Sequence, residues 1–546
     1  DFQLRLVQVS NGREAWVLRA DSHLDLINYA AFARSLLVHN ASFDLAVLDR
    51  CVGVPLAHTC TTATTVDIAV LSRIVDPLGA AVRRSGKVIP KHDLKSLARK
   101  HVDPNLDFDK ALAARLRALK LPTKSAGGFA AIPIDDPVYT TYAGLDAIVT
   151  FRVAEKLVPK MTAQTAHLVT YEMELSRLLA EMARRGILVD VDYTIALLER
   201  LRQEWAATFT TVAAHGLDTT RLDTPQQRER FAALLREQGV KLGRTKTGQP
   251  ALNKQALTEA LADSPASEFV TAFFHCRDLE KLARDYVHKF LDMRDDADRL
   301  HPAIHPMGAQ TGRMSISDPP LQQIPRGGDV RGCLVAEPGH VLVSADFSTV
   351  EFRVAAALSG DTAMRQAIAD GVDLHSVTAR RLFGDGFTDE QRNIAKRAGF
   401  GRLYGAGAPA VAQQCGVPLR VAEKALAEFD AAFPQVAAFA AETSGMDEVT
   451  TPLGRTLPLD KKRSHIGVNY AVQSTARDVF AMAMLRLADA GFRDYLWLPI
   501  HDEVIVSVPE GDADEAAKAM VDIMADELDG VPIAAEAKVL GRRWRK

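Results

Sequence analysis

The feature that most constrains this chain is a pair of apolar, β-branched runs that end on acids. Val341 to Phe347 reads as a buried strand closing at Asp346, and Leu496 to Val508 reads as two strands flanking His501, Asp502 and Glu503 at a hairpin tip. An acid that closes a buried strand is costly unless it is paired or bound to a metal. If the strands lie side by side, Asp346 and Asp502 face each other at the end of one sheet. Two such carboxylates cannot both stay ionised in a dry site, but they can hold two Mg²⁺ ions ~3.5 to 4 Å apart, an arrangement that activates an attacking oxygen and neutralises a leaving phosphate.

The rest of the composition bounds the architecture. At 546 residues the chain is expected to divide into roughly three or four units. Its 47% hydrophobic and 25% charged residues are those of an average globular protein, which excludes bulk disorder and repeat fibres. The net charge of −3 draws no nucleic acid by itself, so any basic footprint must be local. Cys51, Cys60, Cys276, Cys333 and Cys415 are scattered without a CxxC, which argues against a disulfide framework or zinc ribbon and for a reducing, cytoplasmic setting. The absence of a long apolar run or a basic-then-apolar leader predicts no membrane span and no signal peptide. Residue 1 is not Met, and a trimmed start is expected.

Asn11 and Gly12 separate two alternating stretches, which predicts a β-hairpin. An apolar run at Leu36 to Val38 and helices over Phe43 to Arg50 and Asp93 to Lys100 follow, the pattern of an α/β layer. A Pro- and Gly-rich loop then precedes a helix predicted from Pro137 to about Val158. From about 165 to 300 the chain is predicted to be mostly helical, including Tyr171 to Arg185 and Phe269 to Met293. The insert from Lys241 to Lys254 holds Lys241, Arg244, Lys246 and Lys254 without an acid; it reads equally as a solvated loop or one that tracks phosphates. Strands return from 300 to 360, helices from 361 to 449, and a strand-turn-strand over 494 to 508.

Thr388, Asp389, Glu390 and Gln391 form a capping-box start, which predicts a helix to about Tyr404. Arg392, Lys396, Phe400 and Tyr404 recur on it at steps of four. Each step advances ~40°, so the four form one stripe within ~120°. Two cations suit a triphosphate, and two aromatic rings suit a stacked base.

These stretches, Asp346-Phe-Ser-Thr-Val-Glu351-Phe-Arg353, Arg392-xxx-Lys396-xxx-Phe400-Gly-xx-Tyr404-Gly405 and Ile500-His501-Asp502-Glu503, resemble motifs A, B and C of the family A DNA polymerases, in that family's order. The segment from Thr311 through Arg313 to Pro325 is similar to the family's primer and template contact, Asp373-Leu-His375 to its fingers entry, and Asn469-xxx-Gln473 to its minor-groove pair. Thr245-Lys-Thr-Gly-Gln-Pro and Leu279-Glu-Lys-Leu resemble its thumb, and the likeness covers about 165 to 546.

The resemblance implies a right hand of palm, fingers and thumb that adds dNTPs to a primer 3′ end on a DNA template. Asp346 and Asp502 would bind two Mg²⁺ ions. Arg392, Lys396 and His375 would hold the triphosphate, with Lys396 also placed to protonate the pyrophosphate, and Phe400 and Tyr404 would stack near the nascent pair. Glu351 would be the steric gate against a ribose 2′-OH, and Phe400 rather than Tyr implies discrimination against dideoxynucleotides. Arg313, Asn469 and Gln473 would read the minor groove, with His501, Arg244 and Lys246 as further DNA contacts. The chain departs from the family at Phe347, Thr349 and His465, where Tyr, Gln and Arg are usual.

His39-Asn40-Ala-Ser-Phe43-Asp44 and Tyr142-Ala-Gly-Leu-Asp146 resemble the second and third motifs of the DEDDy 3′→5′ exonucleases, which also use two metals, Mn²⁺ or Mg²⁺. Gln3 to Ser10 matches the strand after their first motif. The first motif, Asp-x-Glu, is absent; Asp1, followed by Phe2 and Gln3, cannot supply it. The expectation is an α/β (α+β) chain: an RNase H-like exonuclease domain over 1–160, N-terminally incomplete and poorly active as given, then a polymerase domain over 161–546. Within the latter, thumb is expected at about 191–299, fingers at about 361–449 and palm at about 300–360 and 450–546. The expected setting is phage or bacterial DNA replication, as a monomer on primer-template DNA, with accessory replication proteins as further partners. Two alternatives are a single-subunit RNA polymerase, against which Glu351 argues, and a catalytically silent DNA-binding factor, against which Asp346, Lys396 and Asp502 argue.

Overall fold

The computed structural model describes residues 4–31, 36–53, 65–84, 87–245, 247–261, 266–325 and 327–545. At the amino end Leu6–Ser10 and Ala15–Arg19 pair antiparallel, as the hairpin pattern predicts. The turn closes because the Asn11 side chain accepts the backbone N–H groups of Arg13 and Glu14. Leu36–Val38 and Thr65–Asp67 form a parallel pair, and the Pro137–Leu157 helix lies against the hairpin and against Leu36–Val38. That helix starts where its sequence signals put it: Asp136 accepts the N–H groups of Val138 and Tyr139, and Pro137 fills the first turn.

The Ala163–Arg185 helix joins this layer to the rest. Its buried strip of Leu168, Leu175, Leu178, Leu179 and Met182 belongs to one core that runs from Ile68 to Trp544. Adjacent residues serve the two sides: Met173 Sδ accepts the N–H of Asp67 at 3.3 Å, while Glu172 is fully buried between Arg455 and Arg477. Both arginines also reach Asp478, at 2.8 and 3.0 Å. Two charges of each sign leave this cluster neutral, whereas removing one partner would strand a buried charge at about 3–5 kcal/mol. Arg477 donates to the Pro306 carbonyl at 3.0 Å and Arg455 lies against Gly312, so the network sets the 306–313 loop relative to the Gly467–Leu487 helix.

The Val191–Ala214 and Ser267–Leu282 helices pack together over a separate core that includes Phe231, Phe269 and Phe273. The basic insert between them is a loop with one bridge, Arg244 to Pro250; Lys246 lies outside the described residues.

The largest sheet is antiparallel, with strands in the order Leu496–Ile500, Glu503–Pro509, His340–Phe347, Ala535–Gly541. Leu496–Ile500 is wholly buried, which is why it reads as an unbroken apolar run rather than an alternating one. The register corrects the expected pairing of acids. Asp346 lies opposite Glu503 on one side and Glu536 on the other, and Asp502 sits in the turn between strands. His501, at φ 55°, makes this tight connection. After His340–Phe347 the chain enters the Val350–Ser359 helix, then the helical 361–449 region. The Asp389–Leu403 helix begins on the expected capping box: Gln391 N–H donates to Thr388 Oγ1 at 3.2 Å and Thr388 N–H to Gln391 Oε1 at 2.9 Å. Among the described residues no helix is long and apolar enough to cross a membrane.

Candidate active site

Asp346 and Asp502 meet at one end of the large sheet. The Phe347 N–H donates to the Asp502 carbonyl at 3.3 Å and ties the hairpin turn to the strand. Burial, then the charges of Glu351 and Asp346, push the Asp502 carboxyl up to about 6 against the opposing pull of Arg313. Negative charge is therefore in excess here, and the donors are carboxylate oxygens, the hard ligands that Mg²⁺ takes. The pair fits a divalent cation. Glu503 is buried and accepts the Ser344 hydroxyl, so it faces back along the strand.

Glu351 is 5% exposed and clamped from two sides. Arg313 Nη2 donates to its Oε1 at 2.5 Å, and the Tyr404 hydroxyl donates to its Oε2 at 2.8 Å. The same Arg313 nitrogen lies 3.8 Å from Asp502 Oδ1. Two segments remote in sequence thus converge on Glu351, and one of them also reaches Asp502. Gly405 is required beside them: its φ is 68°, and a Cβ there would lie 2.2 Å from the His465 carbonyl oxygen.

The stripe on the Asp389–Leu403 helix is divided by its surroundings. Arg392 Nε pairs with Asp373 at 2.7 Å, while Lys396 is exposed and makes no ion pair among the described residues. Although burial opposes it, hydrogen bonds from Arg392 and Ser376 hold the Asp373 carboxyl down at about 2. Phe400 packs edge-on to Phe352 at 4.8 Å and lies 5.9 Å from the Tyr404 ring. His375, which the resemblance implies on the triphosphate, is only 4% exposed. Burial, helped by the Lys396 and Arg392 cations, lowers it to about 4 against Asp373, and its ring lies 5.9 Å from that of Phe400.

Asn469 and Gln473 sit one turn apart on the Gly467–Leu487 helix. The Asn469 Oδ1 is buried without a hydrogen-bond partner among the described residues, an acceptor left for a ligand to satisfy. His501 is exposed at the hairpin tip, and Arg244 is exposed and donates to Gly248 O at 3.0 Å.

A second acidic site lies in the amino-terminal layer. Asn40, at φ 73°, follows the Leu36–Val38 strand; its N–H and that of Ala41 donate to buried Asp67 at 2.9 and 2.8 Å. Burial, then the Asp67 charge, pushes the Asp44 carboxyl up to about 7. Tyr142 and Asp146 share one face of the Pro137–Leu157 helix, and Asp146 forms an ion pair with Lys95. The Lys95 ammonium stands 4.5 Å from the Phe108 ring centre and 4.7 Å from that of Tyr142. Lys124 lies 5.3 Å from the Tyr142 centre and donates to Asp109 at 2.6 Å. Carboxylate oxygens again suit Mg²⁺ or Mn²⁺, but here Asp146 is already balanced by an ammonium. At neither site do three His, Cys, Asp or Glu side chains converge on a metal position among the described residues.

Sequence reasoning missed Asp67, Lys95 and Lys124. Two left a local signal: Asp67 is the N-cap of the Ile68–Val75 helix, and Lys95 lies in the first turn of the Leu94–His101 helix, where a cation opposes the helix dipole.

A carboxylate pair faced by a helix of cations and aromatics defines a phosphoryl-transfer enzyme that acts on nucleotides, with a second acidic site appended. DNA polymerase family A matches residues 193–546, and the 3′-5′ exonuclease family matches residues 1–162. The chain is similar to the DNA polymerase of Mycobacterium phage D29, 35% identical over 565 residues that cover 100% of this chain and 90% of that protein. The DNA polymerase of Mycobacterium phage L5 is 34% identical over 558 residues, with the same coverage. DNA polymerase I of Chloroflexus aurantiacus is 30% identical over 76% of this chain and 47% of its own length. Among solved structures, the POL domain of Pol1 from M. smegmatis, in complex with DNA primer-template and dNTP, shares the fold at a TM-score of 0.73 and 23% identity, covering 98% of this chain and 92% of that one. The chain belongs to DNA polymerase family A, with an exonuclease domain ahead of its polymerase domain, and it carries out template-directed DNA synthesis.

Proposed function

We propose that Asp346 and Asp502 are the metal-binding acids of the polymerase site and that Glu351 is its sugar gate. The observation that carries this is the clamp on Glu351: both its oxygens are held, by Arg313 and Tyr404, within one network that reaches Asp502. A carboxylate fixed in that way cannot swing aside for a 2′-OH, so dNTPs are selected over rNTPs. Two Mg²⁺ ions, when bound, supply the charge that activates the primer 3′-oxygen and neutralises the pyrophosphate. In the reaction that oxygen attacks the α-phosphorus, the bond to the β-phosphate breaks and pyrophosphate leaves. Arg392 and Lys396 bind the triphosphate, and exposed Lys396 is placed to give the leaving group its proton. Phe400 and Tyr404 offer ring faces to the incoming base. His375, buried and neutral, supports the Phe400 ring.

Arg313, Asn469 and Gln473 read the minor groove of the primer-template, and the open Asn469 acceptor supports this. His501 and Arg244 contact the DNA backbone. The thumb spans about 191–299, the fingers about 361–449, and the palm about 300–360 and 450–546. Asn40, Asp44, Tyr142 and Asp146 form the exonuclease site, where Asp44 and Asp146 would hold Mg²⁺ or Mn²⁺. The phage relatives support a replicative role in a bacterial cytoplasm.

The test is extension of a labelled primer with dNTPs, with rNTPs and without nucleotide, for the unmutated chain and Glu351→Ala. Extension by dNTPs alone, with rNTP use rising at least about tenfold in the variant, supports the gate. Equal use of both nucleotides by the unmutated chain would refute it.

A further inference from the structure

Two lysines from separate elements converge on one tyrosine in the amino-terminal layer. Lys95 comes from the first turn of the Leu94–His101 helix and Lys124 from the short Lys124–Ala126 turn, and both ammoniums stand about the Tyr142 ring, at 4.7 and 5.3 Å. Neither position is one that a surface lysine would adopt by default. The Lys95 side chain is only 16% exposed, opposes its own helix dipole and is walled by the Phe108 and Tyr142 rings. It stays there because Asp146 pairs with it and the ring faces attract a cation. Lys124 is held by Asp109 at 2.6 Å. The result is a pair of cations about Tyr142, one of them on Asp146, an acid that the exonuclease reading assigns to metal binding.

Repulsion explains what such a pair must do. A DNA strand brings phosphate charge toward Asp44 and Asp146, and carboxylates alone repel it. An ammonium is a compact point charge with three donors and takes a non-bridging phosphate oxygen well. An ammonium that balances Asp146 in the absence of DNA can turn its donors to a phosphate oxygen when a strand arrives, with or without a metal on Asp146.

We propose that Lys95, seconded by Lys124, is the phosphate-binding residue of the exonuclease site and holds the 3′-terminal phosphodiester of a single strand over Tyr142. This rests on reading Asp44, Tyr142 and Asp146 as that site. Lys95 breaks no bond; it exchanges its carboxylate partner for a phosphate oxygen.

The experiment measures binding of a 5′-fluorescein-labelled (dT)4 with a free 3′-OH to the full chain by anisotropy, in EDTA, so that no turnover contributes. A Lys396→Ala background removes a phosphate-binding cation of the polymerase site from the reading. Lys95→Gln should weaken binding about tenfold, the worth of one charge-assisted hydrogen bond, while Lys95→Arg should retain most of it. Asp146→Asn, which releases the lysine and removes a repelling charge, should tighten binding severalfold. Melting curves of all variants show that each is folded. Binding unchanged in Lys95→Gln but altered in Asp146→Asn overturns the proposal and leaves Lys95 as a mere ion-pair partner. Binding unchanged in both overturns the exonuclease-site reading on which it rests.

Discussion

At the end of the large sheet, Asp502 faces two further acids with one arginine 3.8 Å away, whereas in the amino-terminal layer Asp146 is met directly by the Lys95 ammonium. Both regions present carboxylates for metal-assisted phosphate chemistry, yet they manage charge differently. The polymerase site keeps an excess of negative charge, and Lys396, the cation proposed to bind the triphosphate, stands apart on another helix. The exonuclease site carries its cation on the acid itself. A site left negative is poised to take a divalent ion, and one already neutralised must exchange a partner before it can.

The sharpest way to break this comparison is to remove one acid from each region. Asp502→Ala should lower single-turnover primer extension about a thousandfold, the scale expected when charge stabilisation of the transition state is lost, with primer-template affinity nearly intact. Asp146→Ala should leave extension within about twofold while abolishing any metal-dependent digestion of single-stranded DNA. If either substitution disables both reactions, the two regions do not act independently.

A smaller effect probes the nucleotide side of the polymerase site. Phe400 rests against Phe352 and His375, so Phe400→Tyr adds a hydroxyl to a ring that the proposed function sets beside the incoming nucleotide. Incorporation of dideoxynucleotides should rise at least about tenfold, read as chain termination on a sequencing template. Unchanged termination would remove Phe400 from the sugar pocket.

The smallest effect follows from the raised carboxyls. Asp502 at about 6 and Asp44 at about 7 hold their protons more tightly folded than unfolded. Their stabilising contribution is therefore complete below the ordinary carboxylate value of 3.8 and fades as pH rises through about 6 and about 7. Mg²⁺ should relieve the repulsion that remains, raising the melting temperature by a few degrees near pH 8 and hardly at all near pH 5, where protons compete. Asp502→Asn should reduce the Mg²⁺ shift at the higher pH. An equal shift at both pH values would show that the ion binds elsewhere.

Much of the polymerase site was legible because its signals are local. The capping box at Thr388 and Gln391 predicts the start of the motif helix, and steps of four place Arg392, Lys396, Phe400 and Tyr404 along it. The apolar runs ending on Asp346 and flanking Asp502 predict strand ends without knowledge of their neighbours. The register was not legible. A one-residue difference sets Glu503 rather than Asp502 opposite Asp346, and only the hairpin turn and strand pairing decide it. His375 shows the same limit: its motif does not reveal that it is buried, and burial, helped by the Lys396 and Arg392 cations, is what lowers it to about 4.

What the chain determined by itself, then, is every feature carried by caps, periodicity and short motifs: the hairpins, the long helices, the acid-bearing strand ends and the stripe of cations and aromatics. Tertiary structure alone decided which charges meet. Lys95 and Asp146 come from different helices, and Glu172 finds Arg455 at a separation of 283 residues. The physical reason is that a buried charge is stable only with its partner, and a partner brought in from a distant segment leaves no periodic mark on the sequence at either end.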